Sequence, residues 1–217
     1  MMRILPLASL LVSSLALAQG VELTLEEFKM YQQYKNAMED PRVQQMKPEA
    51  RVPAIAKDAG FKLKELKRVI EKGDGAGDLK ARCEAAIKVA LEKGELSGRV
   101  GTVDVDTRDP HAVGYLQWFN ENPERLEVEA SFAAATLQHS CPIVSTVQVW
   151  AQDKANPKAR VFQALISGSA AARIDPTRAK DFASTRYIRL FEKVKNVAAG
   201  DDLSQETGTP AGQPASP

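Results

Sequence analysis

Two histidines and two cysteines are the residues of this chain best suited to nucleophilic catalysis or metal binding. His139 and Cys141 lie in the tetrapeptide QHSC, whereas His111 and Cys83 lie elsewhere in the sequence. A thiol nucleophile needs a histidine base within hydrogen-bond reach and a further group that orients this base. No glycine-rich elbow accompanies QHSC, and no C-x-x-C pair indicates zinc. The sequence therefore predicts no catalytic, cofactor-binding or metal-binding residue, and an enzyme is the less favoured interpretation.

Carboxylates are concentrated in the segment DVDTRD, residues 104 to 109. Asp104 and Asp106 would project from one face of a strand, an arrangement that suits a hard cation such as calcium. The segment lacks the glycine and the distal glutamate of an EF-hand loop, so a solvated strand end and turn is favoured. The alternative is an envelope enzyme with dispersed carboxylates, in which both acids share a concave pocket with His111.

The two cysteines predict either one disulfide or two buried thiols. Cys83 lies on the apolar face of a helix predicted for residues 78–94, and Cys141 precedes a predicted strand. In an oxidising compartment the two residues can form a disulfide. Closing a loop of this length contributes on the order of 4 kcal/mol to stability in the chain-entropy model.

The first 18 residues predict a signal peptide and therefore export. Arg3 is the only charge, an apolar run follows, and the small residues Ala16 and Ala18 occupy the two positions that a signal peptidase tests. Cleavage after Ala18 would make Gln19 the first mature residue, in the periplasm or in the medium. No later apolar run reaches the length of a transmembrane helix, so we expect none in the mature chain.

The overall charge gives no argument for nucleic acid or an anionic membrane as the partner. The 217 residues are 44% hydrophobic and 26% charged, with a formal net charge of +1. Removal of residues 1–18 removes Arg3 and no acid, which leaves 28 basic and 28 acidic residues. Any electrostatic recognition must therefore come from a local patch.

One local patch lies in RVPAIAKDAGFKLKELKRVI, residues 51 to 70, which predicts two helices joined by a turn at Gly60. The part IAKDAGFKLKELKRVI resembles the first helices of lac-repressor-type regulators, over about twenty residues of the chain. The resemblance implies that residues at the start of the second helix contact DNA bases. In this sequence those residues are Lys62, Lys64 and Glu65.

The charge of this region favours a contact surface. Residues 42 to 72 contain nine Lys or Arg and four Asp or Glu. The predicted partner-binding basic face consists of Lys57, Lys62, Lys64, Lys67 and Arg68. Because an exported protein meets no operator, we favour a non-catalytic binding or scaffolding protein whose partner is an envelope or extracellular protein or polymer. A helix-turn-helix DNA-binding protein is the alternative if the N-terminal segment is not a signal peptide.

The elements that would position these residues predict an α+β protein. We expect a helical module over residues 22–72, a glycine-rich linker over 73–77, an α+β domain over 78–195 and a disordered tail over 200–217. In the α+β domain the predicted elements are a helix (78–94), a hairpin (99–106 and 112–119), a helix (123–138), a second hairpin (143–152 and 160–167) and a last helix within 176–195. Two hairpins in one sheet predict four antiparallel strands, covered by helices.

Overall fold

The computed structural model describes residues 23–178 and 187–203, and these residues form an α+β protein. Its elements are α1 (Leu25–Glu39), α2 (Pro41–Gln44), α3 (Pro48–Asp58), α4 (Leu63–Gly75), α5 (Leu79–Glu92), β1 (Val100–Asp106), β2 (Val113–Asn120), α6 (Leu126–Ser140), β3 (Thr146–Asp153), β4 (Arg160–Ser167), α7 (Gly168–Ala171) and β5 (Lys193–Asn196). The predicted signal peptide, with its cleavage point between Ala18 and Gln19, lies outside the described residues. In the ranges that are described, the helices are too short or too polar to span a membrane.

The N-terminal helices begin with local signals that the sequence carries. Thr24 caps α1 through a capping box, because its hydroxyl accepts from the Glu27 N–H while the Glu27 carboxylate accepts from the Thr24 N–H. Phe28 and Tyr31 then bury one face of α1 against α4, which contributes Val69 to the same apolar cluster. The first helix is therefore fixed to the fourth, and α2 and α3 connect them.

The sequence predicted that the glycines of segment 73–77 lie outside regular structure, but two of them belong to α4. Residues 73 to 75 form the last turn of α4. Gly73 is required there, since a Cβ on it would lie 2.4 Å from ring carbons of Tyr31. The Tyr31 hydroxyl donates to Asp74 at 2.7 Å, and burial together with this carboxylate raises the pKa of Tyr31 to about 12. Only Gly77, with a φ of +66°, has the left-handed backbone expected of a glycine turn. The position of a domain boundary stays a prediction.

The sheet confirms the α+β fold and adds a fifth strand. Its order is β1-β2-β3-β4-β5, and every neighbouring pair is antiparallel except β2 and β3, which are parallel. The predicted sheet of four antiparallel strands is therefore corrected at its centre, where β2 and β3 run parallel. The reason is α6, which returns the chain along the sheet from the end of β2 to the start of β3. A last helix was predicted within residues 176–195, but the end of this range belongs to strand β5. Residues 179–186 of the range lie outside the described part.

Helices α5 and α6 cover one face of the sheet and form the main core with it. Alternate strand residues point into this core, among them Leu116, Trp118 and Val149, which are fully buried. The predicted disulfide is present: Cys83 near the start of α5 is bonded to Cys141 at the end of α6, with 5.2 Å between the Cα atoms. Of the predicted tail, residues 200–203 are described and Leu203 is buried, so the packed chain extends at least to this residue.

Candidate binding surface

The QHSC segment has no thiol that could act as a nucleophile. Cys141 is bonded to Cys83, and both residues are fully buried. The Nε2 atom of His139 lies 3.0 Å from the carbonyl oxygen of Ile174. Because a carbonyl oxygen only accepts, Nε2 carries a proton and donates it to this bond. His139 therefore positions the segment that follows α7.

The carboxylates of β1 are each bound by a cation. Lys80 contacts Asp104 at 2.5 Å, and Arg108 contacts Asp106 at 2.6 Å. The hydrogen bond from Arg108 lowers the pKa of Asp106 to about 2, so this group is ionised at neutral pH and poorly suited to proton transfer. His111 is exposed in the following turn. In the described ranges, no group of three or more His, Cys, Asp or Glu side chains could hold a metal ion.

A buried charge that sequence analysis missed lies at the other end of β2. Glu129 on α6 is 1% exposed and accepts hydrogen bonds from Arg99 at 2.7 Å, from the Trp118 indole at 2.8 Å and from the Asn120 amide at 2.9 Å. Three donors satisfy the carboxylate, which gives this cluster a structural role in joining α6 to the sheet. An acid inside the apolar run of α6 was the signal that could have revealed it.

The corner between α3 and α4 is fixed by backbone hydrogen bonds. The N–H of Phe61 donates to the carbonyl of Ala56 at 2.8 Å, and the N–H of Gly60 donates to that of Lys57 at 3.3 Å. This pair of bonds is a Schellman motif, which requires a left-handed residue after the helix; Gly60 has a φ of +71°. The direction in which α4 leaves α3 therefore follows from a single glycine.

Helix α4 is held from the other side by an acid on α1. Glu27 contacts Arg68 at 2.8 Å and Lys72 at 3.1 Å. Burial alone would raise the pKa of Glu27, but the Thr24 N–H, Lys72 and Arg68 lower it below its usual value. Arg68 was predicted to belong to the partner-binding face. It forms an ion pair within the chain, but half of its side chain is exposed, so its place in the partner-binding face stays a prediction.

The other four predicted residues form the surface that we call the basic corner: Lys57, Lys62, Lys64 and Lys67. All four are exposed, and none has an ion pair with any of the described residues. Lys64 and Lys67 are neighbours on one face of α4, since they are three residues apart. The N-cap residue Lys62 makes no side-chain cap, so the positive end of the α4 dipole adds to these charges.

The shape of the basic corner suits a large partner. A shallow depression of about 580 Å³ runs along α4 and is lined only by side chains of this helix and its cap, Glu65 and Glu71 among them. A depression with one wall cannot enclose a small molecule. Leu63 lies among the lysines with 38% of its surface exposed, which offers an apolar contact at the centre of the charges.

The fold and this surface define a class: an α+β protein with a mixed five-stranded sheet and a basic helical corner at its N-terminal side. Comparisons of the chain with protein-family models, curated proteins and solved structures gave no match.

Proposed function

We propose that this protein is an exported, non-catalytic binding protein that holds an acidic partner against the basic corner. The observation that carries this proposal is the concentration, at the end of α3 and the start of α4, of four lysines that have no ion pair among the described residues. An excess of positive charge on an exposed surface steers and orients an acidic partner.

The pairing of several other cations supports this interpretation. Lys72, Lys80, Arg99, Arg108 and Arg125 each contact an acid of the same chain. Their charges therefore serve the fold. The lysines of the basic corner have no such internal role in the described structure, and an external acid would be their first strong partner.

The disulfide supports a site of action outside the cytoplasm. Disulfides persist in oxidising compartments and are rare where thiols are kept reduced. The bond between Cys83 and Cys141 is compatible with an exported chain. An exported partner with a flat acidic surface would be an envelope or extracellular protein or an anionic polymer.

Charge reversal tests the basic corner. The variant Lys62→Glu/Lys64→Glu is compared with Lys88→Glu/Lys158→Glu, which reverses two exposed lysines elsewhere and so matches its net charge. Immobilised heparin serves as the anionic probe, with affinity measured at several salt concentrations. We expect about tenfold weaker binding for the first variant, since each exposed charge contact contributes roughly 0.2–1 kcal/mol. Equal losses in both variants would show that net charge, and not this surface, determines binding.

Duplex DNA is the second candidate partner, because the geometry of the basic corner agrees with the helix-turn-helix resemblance. Lys62, Lys64 and Glu65 are all exposed at the start of α4. The N-terminal residue of the protein from fractionated native cells distinguishes the two functions. A chain that begins at Gln19 outside the cytoplasm excludes operator binding, whereas a full-length cytoplasmic chain that binds duplex DNA would replace our proposal.

A further inference from the structure

A second concave region lies between the end of α5 and helix α6. Its cavity, of about 630 Å³, is bounded by the end of α5, by one stripe of α6 and by residues 176–177. The residues used below are Ala90, Lys93 and Gly94 at the end of α5, and Phe132 on α6. We call this region the α5–α6 cleft. Its volume falls in the range of small-molecule sites, about 300–1,000 Å³.

The floor of the cleft is apolar. A Cβ on Gly94 would lie 2.2 Å from Cζ of Phe132 and 3.0 Å from both Cε atoms, so the tip of the phenyl ring points at the glycine backbone. Phe132 is 7% exposed, so little of its ring reaches the cleft, and Ala90 extends the apolar surface by one turn of α5. Such a floor favours an apolar group, because its burial removes apolar surface from water.

The rim of the cleft carries an exposed lysine. Lys93 is exposed and has no ion pair within the described ranges. Among the described residues that line the cleft, the one acid is Glu95, which is bound by Arg125 at 2.8 Å, so its charge is already compensated. An anionic ligand therefore matches the rim better than a cationic one.

We propose that the α5–α6 cleft binds a small organic carboxylate with an apolar body. The carboxylate pairs with the Lys93 ammonium group, and the apolar body packs on the floor that Ala90 and Phe132 form. This site is independent of the basic corner, which lies on α3 and α4, and neither proposal requires the other.

The probe for this proposal is 3-phenylpropionate, with the uncharged 3-phenylpropionamide as its matched control. Binding is followed by ¹H–¹⁵N chemical-shift titration of the full mature chain into the millimolar range. We expect saturable shifts that centre on Gly94 and Phe132. We also expect the amide to bind about three- to fivefold more weakly, because it loses one partly exposed ion pair.

Two variants then distinguish the contribution of the Lys93 charge to binding from that of the apolar cavity. Lys93→Gln should weaken carboxylate binding by the same factor and leave amide binding unchanged. Lys88→Gln removes another exposed lysine of α5 and should alter neither. Shifts that do not saturate, shifts that centre elsewhere, or equal binding of acid and amide would overturn the proposal. Carboxylate binding that is insensitive to Lys93→Gln would overturn it as well.

Discussion

Removal of the disulfide should cost this protein a large part of its stability. The bond joins residues 58 positions apart, Cys83 and Cys141. In the chain-entropy model a loop of this length lowers the entropy of the unfolded chain by about 14 cal/mol/K, which is about 4 kcal/mol at 25 °C. Most domains have a free energy of unfolding of only about 5–15 kcal/mol. The reduced chain should therefore be close to the limit of stability.

Two perturbations separate the loop constraint from packing. Reduced wild type keeps both sulfur atoms in the core and should lose only the loop contribution of about 4 kcal/mol. The variant Cys83→Ala/Cys141→Ala also loses the two sulfur atoms, which are fully buried. Its free energy of unfolding should fall further than that of reduced wild type, by on the order of 1 kcal/mol for each small cavity.

Urea unfolding of these three proteins, followed by far-UV circular dichroism, measures the difference. A loss below about 1 kcal/mol on reduction would refute the assignment of this stability to loop closure. The intact mass of protein from native cells gives the complementary test. A mass without the two-hydrogen deficit would show that the thiols are free in the cell, and the support for an oxidising compartment would disappear.

Two further predictions concern close packing and buried charge. Gly73→Ala should destabilise the protein by about 1–3 kcal/mol because its Cβ would meet the Tyr31 ring, whereas Gly75→Ala, with open space around it, should be neutral or gain about 0.5–1 kcal/mol from helix propensity. Equal melting temperatures for these variants would contradict the packing of α4 on α1. Glu129→Gln should cost about 3–5 kcal/mol in urea unfolding, since Arg99 would keep a largely buried charge without its carboxylate. A loss below about 1 kcal/mol would show that solvent reaches this cluster.

Local periodicity predicted most elements of the fold, but not the direction of the central strands. The alternation of apolar residues placed β1 to β4 within a few residues of their observed bounds. The parallel pairing of β2 and β3 follows from the length of α6, which the sequence pattern also indicated. Fifteen helical residues in α6 span about 22 Å, close to the roughly 26 Å of the eight-residue β2, so the helix returns the chain to the same end of the sheet. A strand that starts there must run parallel to β2.

The elements that sequence analysis missed depend on contacts far along the chain. The sequence of β5, KVKN, has only four residues and one apolar side chain, and it becomes a strand because β4 offers a free edge. Gly73 was expected to interrupt regular structure, as glycine often does in a helix. The ring of Tyr31, 42 residues earlier, instead occupies the space that a Cβ at this position would need.

The same dependence on distant residues defines the candidate binding surface. Arg68 and Lys67 are adjacent in the sequence, and their types give no reason to separate them. They differ in the fold because Glu27 on α1 forms an ion pair with Arg68, whereas Lys67 is exposed to solvent. A charge count can therefore locate a basic region, but only the pairing within the fold shows which cations a partner can reach. Four such lysines lie where α3 ends and α4 begins, so we expect a partner of this corner to contact the first turns of α4.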